Sequence, residues 1–370
     1  MCGDKIYIHQ HSDWPNFIWD RNMLNTLLAD VRYSQGKLLG RMSALGFNLR
    51  EEATLKTLTT DVIKSSEIEG NILNEQQVRS SIARRLGIDI SDSIHVERDV
   101  EGVVEVMMDA INKYEDPLNK KRLFNWHAAL FPTGRSGMQT IEVGKWRGEA
   151  SGLMQVISGA MGKEKIHFEA PAYNILEKEM AIFIKWFNSE TETDLVIKSA
   201  IAHFWFLSIH PFDDGNGRIA RAISDMVLAK SEENTQRFYS MSSQIRQERK
   251  DYYNILEKSQ KGSMDISLWI EWFLNCLKRA IEGSDTILES ILVKARFWEK
   301  HNDKSFNSRQ TLLVNALLDG FKGKLNSSKW AKIGKCSQDT ALRDINNLLE
   351  LGVLVKDGAG GRSTSYFLSL

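Results

Sequence analysis

The chain has 370 residues and a mass of 42.2 kDa, with 42% hydrophobic and 26% charged residues, which is typical of a globular protein with two or three domains. Its 48 basic and 48 acidic residues cancel, and this zero net charge argues neither for a general nucleic-acid binder nor for a membrane-surface protein. The three cysteines lie far apart in the sequence and suggest neither a disulfide framework nor a zinc pattern. No apolar segment follows Met1 and no run of about 18 apolar residues occurs. We therefore expect a cytoplasmic protein with no membrane partner.

Apolar residues recur at helical spacing through most of the chain, and only five prolines interrupt the pattern. The sequence therefore predicts a mainly α-helical protein. The predicted helices cover residues 24–45, 54–64, 75–86, 96–113, 173–188, 194–209, 218–230, 249–258, 267–281 and 287–299. The polar segment 300–308 is the best candidate for a linker.

One short segment near the N-terminus, Ser-Ser-Glu-Ile-Glu-Gly-Asn at residues 65–71, combines a hydroxyl, a carboxylate and a glycine. Ser65 and Glu69 are i, i+4 neighbours on one helix face, and Gly70 is suited to end that helix. Taken alone, this pattern is typical of many helices and indicates no function.

The most informative segment runs from His210 to Arg221 and reads His-Pro-Phe-Asp-Asp-Gly-Asn-Gly-Arg-Ile-Ala-Arg. Apolar stretches of helical type flank it, so we predict a tight loop at the start of a helix. A helix N-terminus has unpaired N–H groups and a partial positive charge, which favour an anion. Gly215 and Gly217 let the backbone approach an oxyanion closely, and the fork of Arg218 matches two phosphate oxygens. These features predict a phosphate site.

Other side chains in the same segment supply reactive chemistry. Asp214 is a hard oxygen ligand of the kind that Mg²⁺ takes when phosphates provide the remaining contacts. His210, with an ordinary pKa of about 6.5, can accept a hydroxyl proton at neutral pH. Asn216 can donate from its side-chain amide to an anion, whereas Phe212 is interpreted as a core anchor. The Gly-x-x-x-x-Gly-Lys-Ser/Thr pattern is absent, so this is not a Walker loop.

These residues resemble the Fic motif, H-x-F-x-[D/E]-G-N-G-R-x-x-R, and every defining position is matched. Fic domains are helical enzymes that mostly move AMP from ATP to a hydroxyl group of a target protein. The resemblance implies that His210 is the general base and that Asp214 holds Mg²⁺ between the α- and β-phosphates. Residues 215–217 would form the anion hole, and Arg218 would neutralise phosphate charge. Some relatives transfer UMP, phosphocholine or phosphate, so the donor stays open.

Residues 65–71 resemble a second Fic feature, the inhibitory motif [S/T]-x-x-x-E-[G/N], with Ser65, Glu69 and Gly70 in the required places. Its N-terminal position is that of the second Fic class, in which the glutamate pairs with the second motif arginine, here Arg221. An arginine held by a carboxylate cannot also bind the γ-phosphate, so ATP would bind with its α-phosphate misplaced for attack. In relatives the same glutamate also positions a water that removes AMP. Both roles stay open for Glu69.

The remainder of a nucleotide pocket is implied more weakly. Residues 144–147 and 154–168 resemble the flap, a strand pair that clamps the target chain, with its tip at residues 159–165 and with Ile166 and His167 in the return strand. The alternative is an ordinary surface hairpin. Tyr252, Tyr253 and Gln260 lie where relatives contact adenine and ribose, and the two tyrosines are equally compatible with a helix core.

The C-terminal part has a different pattern of predicted elements, with short helices followed by a hairpin. Helices at residues 312–318, 328–333 and 338–351, with Ser337 as an N-cap, precede a hairpin formed by residues 353–355 and 365–368 around a glycine-rich loop. This order resembles a winged helix-turn-helix with Arg343 on its recognition helix and Arg362 at the wing tip. Residues 308–370 contain nine Lys or Arg and five Asp or Glu, a net charge of about +4. Contact with DNA and a packing or dimerisation role both remain open.

The sequence therefore predicts an N-terminal helical region (1–90) with the inhibitory motif, a Fic domain (91–300, core about 115–275) with a β-hairpin flap, and a winged helix-turn-helix (305–370). The resemblance implies an autoinhibited protein adenylyltransferase that uses ATP and Mg²⁺ and modifies target proteins and itself. We also expect a homodimer. The alternative is a transcription regulator whose Fic-like body senses a nucleotide without turnover.

Overall fold

The computed structural model describes residues 7–88, 94–159, 165–190, 192–318, 320–321, 323–357 and 364–369. The fold is mainly helical with small antiparallel strand pairs, as predicted. The chain divides into two compact units, one formed by Met1–Gly46 with Thr54–Ser284 and the other by Phe47–Ala53 with Asp285–Leu370. The three-part division expected from the sequence stays a prediction.

The following helices belong wholly or mostly to the first unit, although the start of α2 (Phe47–Ala53) and the end of α11 (residues 285–300) are counted with the second. They are α1 (Arg21–Ser43), α2 (Phe47–Ile68), α3 (Glu75–Leu86), α4 (Arg98–Asn112), α5 (Lys120–Leu130), α6 (Leu176–Asn188), α7 (Leu195–Ile209), α8 (Asn216–Glu232), α9 (Met241–Gln247), α10 (Arg249–Gln260) and α11 (Ser267–Lys300). The strands are β1 (Arg135–Ser136), β2 (Gln139–Thr140), β3 (Gln155–Ser158) and β4 (Lys165–Glu169). β1 pairs with β2 and β3 pairs with β4, both antiparallel.

Helix positions agree with the sequence prediction except in a few places. The short helices α5 and α9 were not predicted, because each has too few turns for periodicity to stand out. The two helices predicted at 267–281 and 287–299 are one continuous helix, α11. The prediction left residues 282–286 between them, but this segment contains no proline that would remove a backbone hydrogen bond.

Helix α7 lies at the centre of the first unit. Every residue from Val196 to Ile209 is buried, so the helix has no solvent-facing side, as expected for a helix that is apolar all round. It begins at Asp194, whose carboxylate accepts a hydrogen bond from the Val196 N–H at 2.7 Å. It packs along α8, so the loop that joins these two helices is fixed from both sides.

One histidine in α7 links three helices through hydrogen bonds. The Nδ1 atom of His203 lies 3.0 Å from the Ser224 hydroxyl on α8, and its Nε2 atom lies 2.9 Å from the Tyr252 hydroxyl on α10. Burial lowers the pKa of His203 to about 3, so the imidazole is neutral at pH 7. His203 is therefore a buried, neutral side chain with both ring nitrogens hydrogen-bonded.

The predicted strand pair at residues 154–168 is confirmed by β3 and β4. Its inner face carries Phe168, which packs edge-on against Tyr7 at a ring-centroid distance of 5.3 Å. Its outer face carries the paired residues Ile157 and Ile166, which are 55% and 38% exposed. Residues 160–164 of the predicted tip, with Gly162 and Lys163, lie outside the described ranges.

The second unit contains α12 (Ser308–Leu318), α13 (Ser327–Ile333), α14 (Gln338–Glu350), β5 (Leu354–Lys356) and β6 (Tyr366–Leu368). These elements lie where the sequence predicted them, around a core that includes the fully buried Trp330. Residues 358–363, with Arg362, fall outside the described ranges. The assignment as a winged helix-turn-helix stays a prediction.

The segment 300–308, expected to be a linker, is packed within the second unit. His301 is buried, and its ring lies 4.6 Å from that of Phe297. Lys304 donates a hydrogen bond to the Leu351 carbonyl at 2.8 Å. The polar composition of this segment suggested a linker, but its side chains form contacts that exist only in the folded unit.

No helix in the described ranges is both long and apolar enough to span a bilayer.

We predict that His203 makes stability depend on pH. Its pKa is about 3 in the folded protein and about 6.5 in the unfolded chain, so below pH 6.5 only the unfolded chain takes up a proton. The free energy of unfolding should therefore fall by about 1.4 kcal/mol for each pH unit below that value because of this residue. Urea unfolding of the His203→Gln variant between pH 6.5 and 4.5 should show a slope smaller by that amount. Equal slopes in the two proteins would contradict the prediction.

Candidate active site

The loop between α7 and α8 is bounded by two residues in the left-handed backbone conformation. His210 ends α7 with φ 52°, and Gly215 begins α8 with φ 82°. At Gly215 an added Cβ would lie 2.8 Å from the ring of Phe131, so glycine is required by both conformation and space. The imidazole of His210 and the N-terminus of α8 consequently belong to one tight bend, as the sequence predicted.

Asn216 holds this bend together. Its Oδ1 accepts a hydrogen bond from the Phe212 N–H at 3.0 Å, and its Nδ2 donates to the Phe212 carbonyl at 2.8 Å. The Phe212 ring is fully buried, as expected for a core anchor. One hydrogen of the Asn216 amide is thus used by the loop backbone, and donation of the other to an anion stays a prediction. The N–H groups at the start of α8 remain as anion donors.

A second support comes from His127 on α5, which is fully buried. Its Nδ1 accepts a hydrogen bond from the Gly144 N–H and its Nε2 donates to the Asp214 carbonyl, both at 3.2 Å. The ring stacks on Phe212 with centroids 4.2 Å apart. Burial lowers the pKa of His127 to about 4, so it is a neutral donor. The contact with Asp214 joins residues 87 positions apart, and the sequence gave no signal for it.

Arg147 fixes the other end of the loop. Its Nε donates to the His210 carbonyl and its backbone N–H to the Pro211 carbonyl, both at 2.9 Å, and its Nη2 donates to the Pro171 carbonyl. The side chain is buried, and among the described residues its Nη1 has no hydrogen-bond partner. The sequence places Arg147 in the segment that resembles the flap. Its contact with His210 joins residues that are distant along the chain.

The imidazole of His210 is partly buried at the surface of this bend. Burial, reinforced by the positive charge of Arg147, lowers the pKa of His210 to about 4, although a hydrogen bond with the Leu207 backbone opposes the shift. At pH 7 the ring is therefore neutral. One ring nitrogen donates to the Leu207 carbonyl, and the other has a lone pair that can accept a proton.

The two adjacent aspartates have different surroundings. Asp213 accepts hydrogen bonds from the Glu142 N–H at 2.9 Å and from the Ser151 hydroxyl at 2.6 Å, so both of its oxygens anchor the preceding loop. Asp214 accepts from the Gly215 N–H at 2.6 Å and from a serine hydroxyl of β1. Both carboxylates line a cleft of about 400 Å³.

Asp214 fits the role of a magnesium ligand. Its carboxylate is a hard oxygen donor at the edge of an open cleft. The described residues contain no group of three or more His, Cys, Asp or Glu that could hold a metal by themselves. A magnesium ion at Asp214 would take its other ligands from phosphates and water, as Mg²⁺ commonly does in nucleotide sites.

Arg218 is a buried cation at the start of α8 with unmet bonding capacity. It is 8% exposed, its guanidinium lies 4.9 Å from the centre of the Phe131 ring, and its Nε has no hydrogen-bond partner in the described ranges. No carboxylate of those ranges forms an ion pair with it. A buried charge without an ionic partner is costly, so this position favours an anionic ligand.

Arg221, in contrast, is held by the helix α2. Its Nε donates to the Ser65 hydroxyl and its Nη2 to the Ser65 carbonyl, both at 2.9 Å, and Nη2 also pairs with Glu69 Oε1 at 2.8 Å. Burial lowers the pKa of Arg221, but the charge and hydrogen bond of Glu69, together with the nearby Tyr252 and Tyr253, outweigh burial and the net shift is upward. A Cβ at Gly217 would lie 2.2 Å from Glu69 Oε1, so this carboxylate covers the first turn of α8.

Asp61 holds α2 in place two turns before Glu69. It is buried and accepts hydrogen bonds from the Ser240 hydroxyl and from the N–H and hydroxyl of Ser242. Residues 61, 65 and 69 recur every four positions and so lie on one face of α2. The position of the Glu69–Arg221 pair is therefore set by several polar contacts along one face of α2 and does not depend on one flexible side chain.

Of the three residues on α10 that were expected to contact adenine and ribose, two are buried and one is partly exposed. Tyr252 is 2% exposed with its hydroxyl bonded to His203, and the amide of the buried Gln260 lies 3.3 Å from the Ser208 hydroxyl. Their side chains belong to the core, which corrects the prediction that they contact nucleotide. Tyr253 is partly exposed, and the guanidinium of Arg249 lies 5.3 Å from its ring.

In the flap, both ring nitrogens of His167 lie within hydrogen-bond distance of a partner. His167 Nδ1 lies 2.5 Å from Glu257 Oε2 on α10, and its Nε2 lies 2.6 Å from the Ser158 hydroxyl. Burial raises the pKa of Glu257, but hydrogen bonds from Lys261 and His167 outweigh it and bring the pKa to about 2. His167 thus connects the flap to α10. A nucleotide contact by Ile166, His167 or Tyr253 stays a prediction.

Comparison with protein families gives two matches. Residues 117–228 match the Fic/DOC family, and this range includes the bend, α5 and α8 up to Leu228. Residues 7–88 match a domain of unknown function, DUF4172, and this range includes Ser65 and Glu69.

Individual proteins show the same similarity. Proteins named protein adenylyltransferase Fic from Drosophila mojavensis and Drosophila grimshawi are each 27% identical to the chain, over 226 and 228 residues, or 60% of this chain. The chain spans only about 40% of the length of these curated relatives. A crystal structure of a Fic family protein from Desulfovibrio desulfuricans superposes with a TM-score of 0.55 at 22% identity, covering 96% of this chain and 98% of that one.

The close packing at Gly215 generates a stability prediction. Gly215→Ala combines a left-handed backbone with a collision against Phe131, whereas Gly87→Ala meets a left-handed backbone (φ 71°) with open space. We expect the first variant to lose about 1–3 kcal/mol more of the free energy of unfolding than the second, the usual cost of overpacking. Denaturant unfolding of both variants tests this. Similar losses would mean that Phe131 moves aside freely.

Proposed function

Because the chain contains a Fic domain, we propose that it is a protein adenylyltransferase that transfers AMP from ATP to a hydroxyl group of a target protein. The proposal rests on one observation: a neutral imidazole at His210 shares a tight bend with the N-terminus of α8 and with the buried Arg218. A proton acceptor therefore lies beside a site built for phosphate.

The proposed reaction has one displacement step. The target hydroxyl oxygen bonds to the α-phosphorus of ATP, the bond from that phosphorus to the bridging oxygen breaks, and pyrophosphate leaves. His210 accepts the hydroxyl proton. The backbone N–H groups of α8 and Arg218 stabilise the phosphate oxygens as charge develops. Magnesium held by Asp214 would neutralise charge on the α- and β-phosphates.

The same geometry supports regulation by α2. Arg221 lies one turn after Arg218 on α8, and its guanidinium is engaged by Ser65 and Glu69. A guanidinium bound in this way cannot also bind the γ-phosphate, and the Glu69 carboxylate repels an anion at the first turn of α8. We propose that Glu69 is autoinhibitory. Its possible second role, positioning a water that removes AMP, requires the same carboxylate.

Target proteins are proposed to bind along the flap. β3 and β4 form a two-stranded sheet whose outer face exposes Ile157 and Ile166, and an added strand would receive backbone hydrogen bonds from the edge of the sheet. Such binding presents a hydroxyl without requiring one target sequence. The identity of the target and of the modified residue stays open, and so does the homodimer expected from the sequence.

A nucleotide-sensing transcription regulator is the second candidate. It is favoured by the exposed Lys332, Lys335 and Arg343 around the start of α14 in the second unit. A sensor would bind ATP without turnover. The transfer assay below therefore separates the two candidates.

We predict that Glu69→Gly activates transfer. Removing the carboxylate frees Arg221 for the γ-phosphate and realigns the α-phosphate, and a misplacement of about 1 Å can cost roughly 10²-fold in rate. Labelling with ATP radioactive at the α-phosphate, in the presence of Mg²⁺, should therefore rise by about that factor in the purified protein and in added lysate proteins.

Two matched variants complete this experiment. Glu67→Ala removes a carboxylate two residues away that pairs with Lys64 and Arg246 instead, and it should leave labelling at the wild-type level. Adding His210→Ala to Glu69→Gly should abolish labelling while ATP binding persists. The proposed activity would be excluded by a Glu69→Gly protein that binds ATP but transfers nothing.

The pKa of His210 predicts an unusual pH dependence. Because its pKa is lowered to about 4, the ring stays neutral and able to accept a proton well below its ordinary value of about 6.5. Labelling by the Glu69→Gly protein should therefore stay level from about pH 7 to pH 5 and decline only towards pH 4. Circular dichroism at each pH controls for unfolding. A decline centred near pH 6.5 with an intact fold would contradict the assignment of His210 as the base in this environment.

A further inference from the structure

The β1–β2 hairpin contacts the candidate active site through one hydroxyl group. Ser136 in β1 donates a hydrogen bond to Oδ2 of Asp214. Oδ1 of the same carboxylate accepts from the Gly215 N–H at 2.6 Å, and the main-chain carbonyl of Asp214 accepts from His127. Both the backbone and the side chain of Asp214 are thus held by neighbouring groups.

The Ser136 hydroxyl has no evident role in the hairpin itself. β1 and β2 are joined by their own backbone pairing, and the hairpin is closed by a hydrogen bond from the Ile141 N–H to the Gly134 carbonyl at 3.1 Å. Its tip is solvent-exposed, with Met138 at 93%. The side chain of Ser136 instead points across the cleft to a carboxylate of another element. The Ser136 hydroxyl therefore contacts the candidate active site and does not stabilise the hairpin itself.

The neighbouring aspartate provides a contrast within the same loop. Asp213 also accepts a serine hydroxyl, from Ser151, but its second oxygen is bound to the Glu142 N–H. These contacts tie the loop to the segment 142–151. Among the described residues, the second oxygen of Asp214 is bound to the next residue of its own loop, so Ser136 is the contact from another element that sets the direction of the carboxylate relative to the cleft.

We propose that Ser136 is a positioning residue that orients the Asp214 carboxylate toward the magnesium ion of a bound nucleotide. The proposal rests on the function proposed above. Each carboxylate oxygen has two lone-pair directions, so Oδ2 can accept from Ser136 and still face a cation. A hydrogen bond from a fixed strand limits the rotation of the Asp214 side chain. Such outer contacts of a metal ligand are typically worth about 10- to 100-fold in metal affinity.

The test measures binding rather than turnover. Calorimetry with the Glu69→Gly protein would use an ATP analogue that has a methylene group between the α- and β-phosphorus and so cannot be transferred. The affinity is recorded at increasing Mg²⁺, and the Mg²⁺ concentration that gives half of the full effect is compared between variants. Adding Ser136→Ala should raise that concentration about 10-fold or more. Affinity without Mg²⁺ should not change.

Two further variants separate orientation from folding. Ser136→Thr keeps the hydroxyl and suits a strand, so it should restore the parent Mg²⁺ requirement. Ser151→Ala removes the matching serine contact from Asp213 and should leave the Mg²⁺ requirement near the parent value. An unchanged Mg²⁺ requirement in Ser136→Ala would overturn the role of Ser136 alone. A parent protein that binds the analogue equally well with and without Mg²⁺ would overturn the metal site at Asp214 and this role with it.

Discussion

The bend between α7 and α8 is the constraint on which the candidate site depends. Two residues with positive φ, His210 and Gly215, reverse the chain within a few positions. That conformation is unfavourable for a histidine, so it persists only because the surroundings determine it. Arg147 holds the His210 carbonyl, Asn216 closes the loop on Phe212, and Phe131 leaves no room for a side chain at Gly215. The reactive groups are therefore oriented before any ligand binds.

Burial gives this bend its chemical character. Withdrawal from water lowers the pKa values of His210 and His127 to about 4, so both rings are neutral at pH 7. The same burial leaves guanidinium nitrogens of Arg147, Arg218 and Arg221 without hydrogen-bond partners in the described residues. Neutral imidazoles and under-bonded cations favour an anionic ligand at this position.

The proposed control by α2 depends on a carboxylate at the position that an anionic ligand would favour. Glu69 is a carboxylate at the N-terminal turn of α8, a position that a phosphate would also favour. Its pairing with Arg221 is supported by Ser65 and, two turns earlier, by Asp61. Release of Arg221 therefore requires movement or substitution at this face of α2, because rotation of the Glu69 side chain alone would leave Ser65 on Arg221.

The sequence by itself determined the mainly helical fold, the bend from His210 to Arg221 and the strand pair of the flap, because these depend on local periodicity and on a compact motif. The tertiary structure alone decided which side chains reach that bend. His127, Arg147 and Ser136 act across 60 to 90 positions of chain, and no spacing pattern records such contacts. It also decided that Tyr252 and Gln260 are core residues and that Asn216 serves its own loop. Burial of a side chain depends on packing between helices, which periodicity within one helix does not specify.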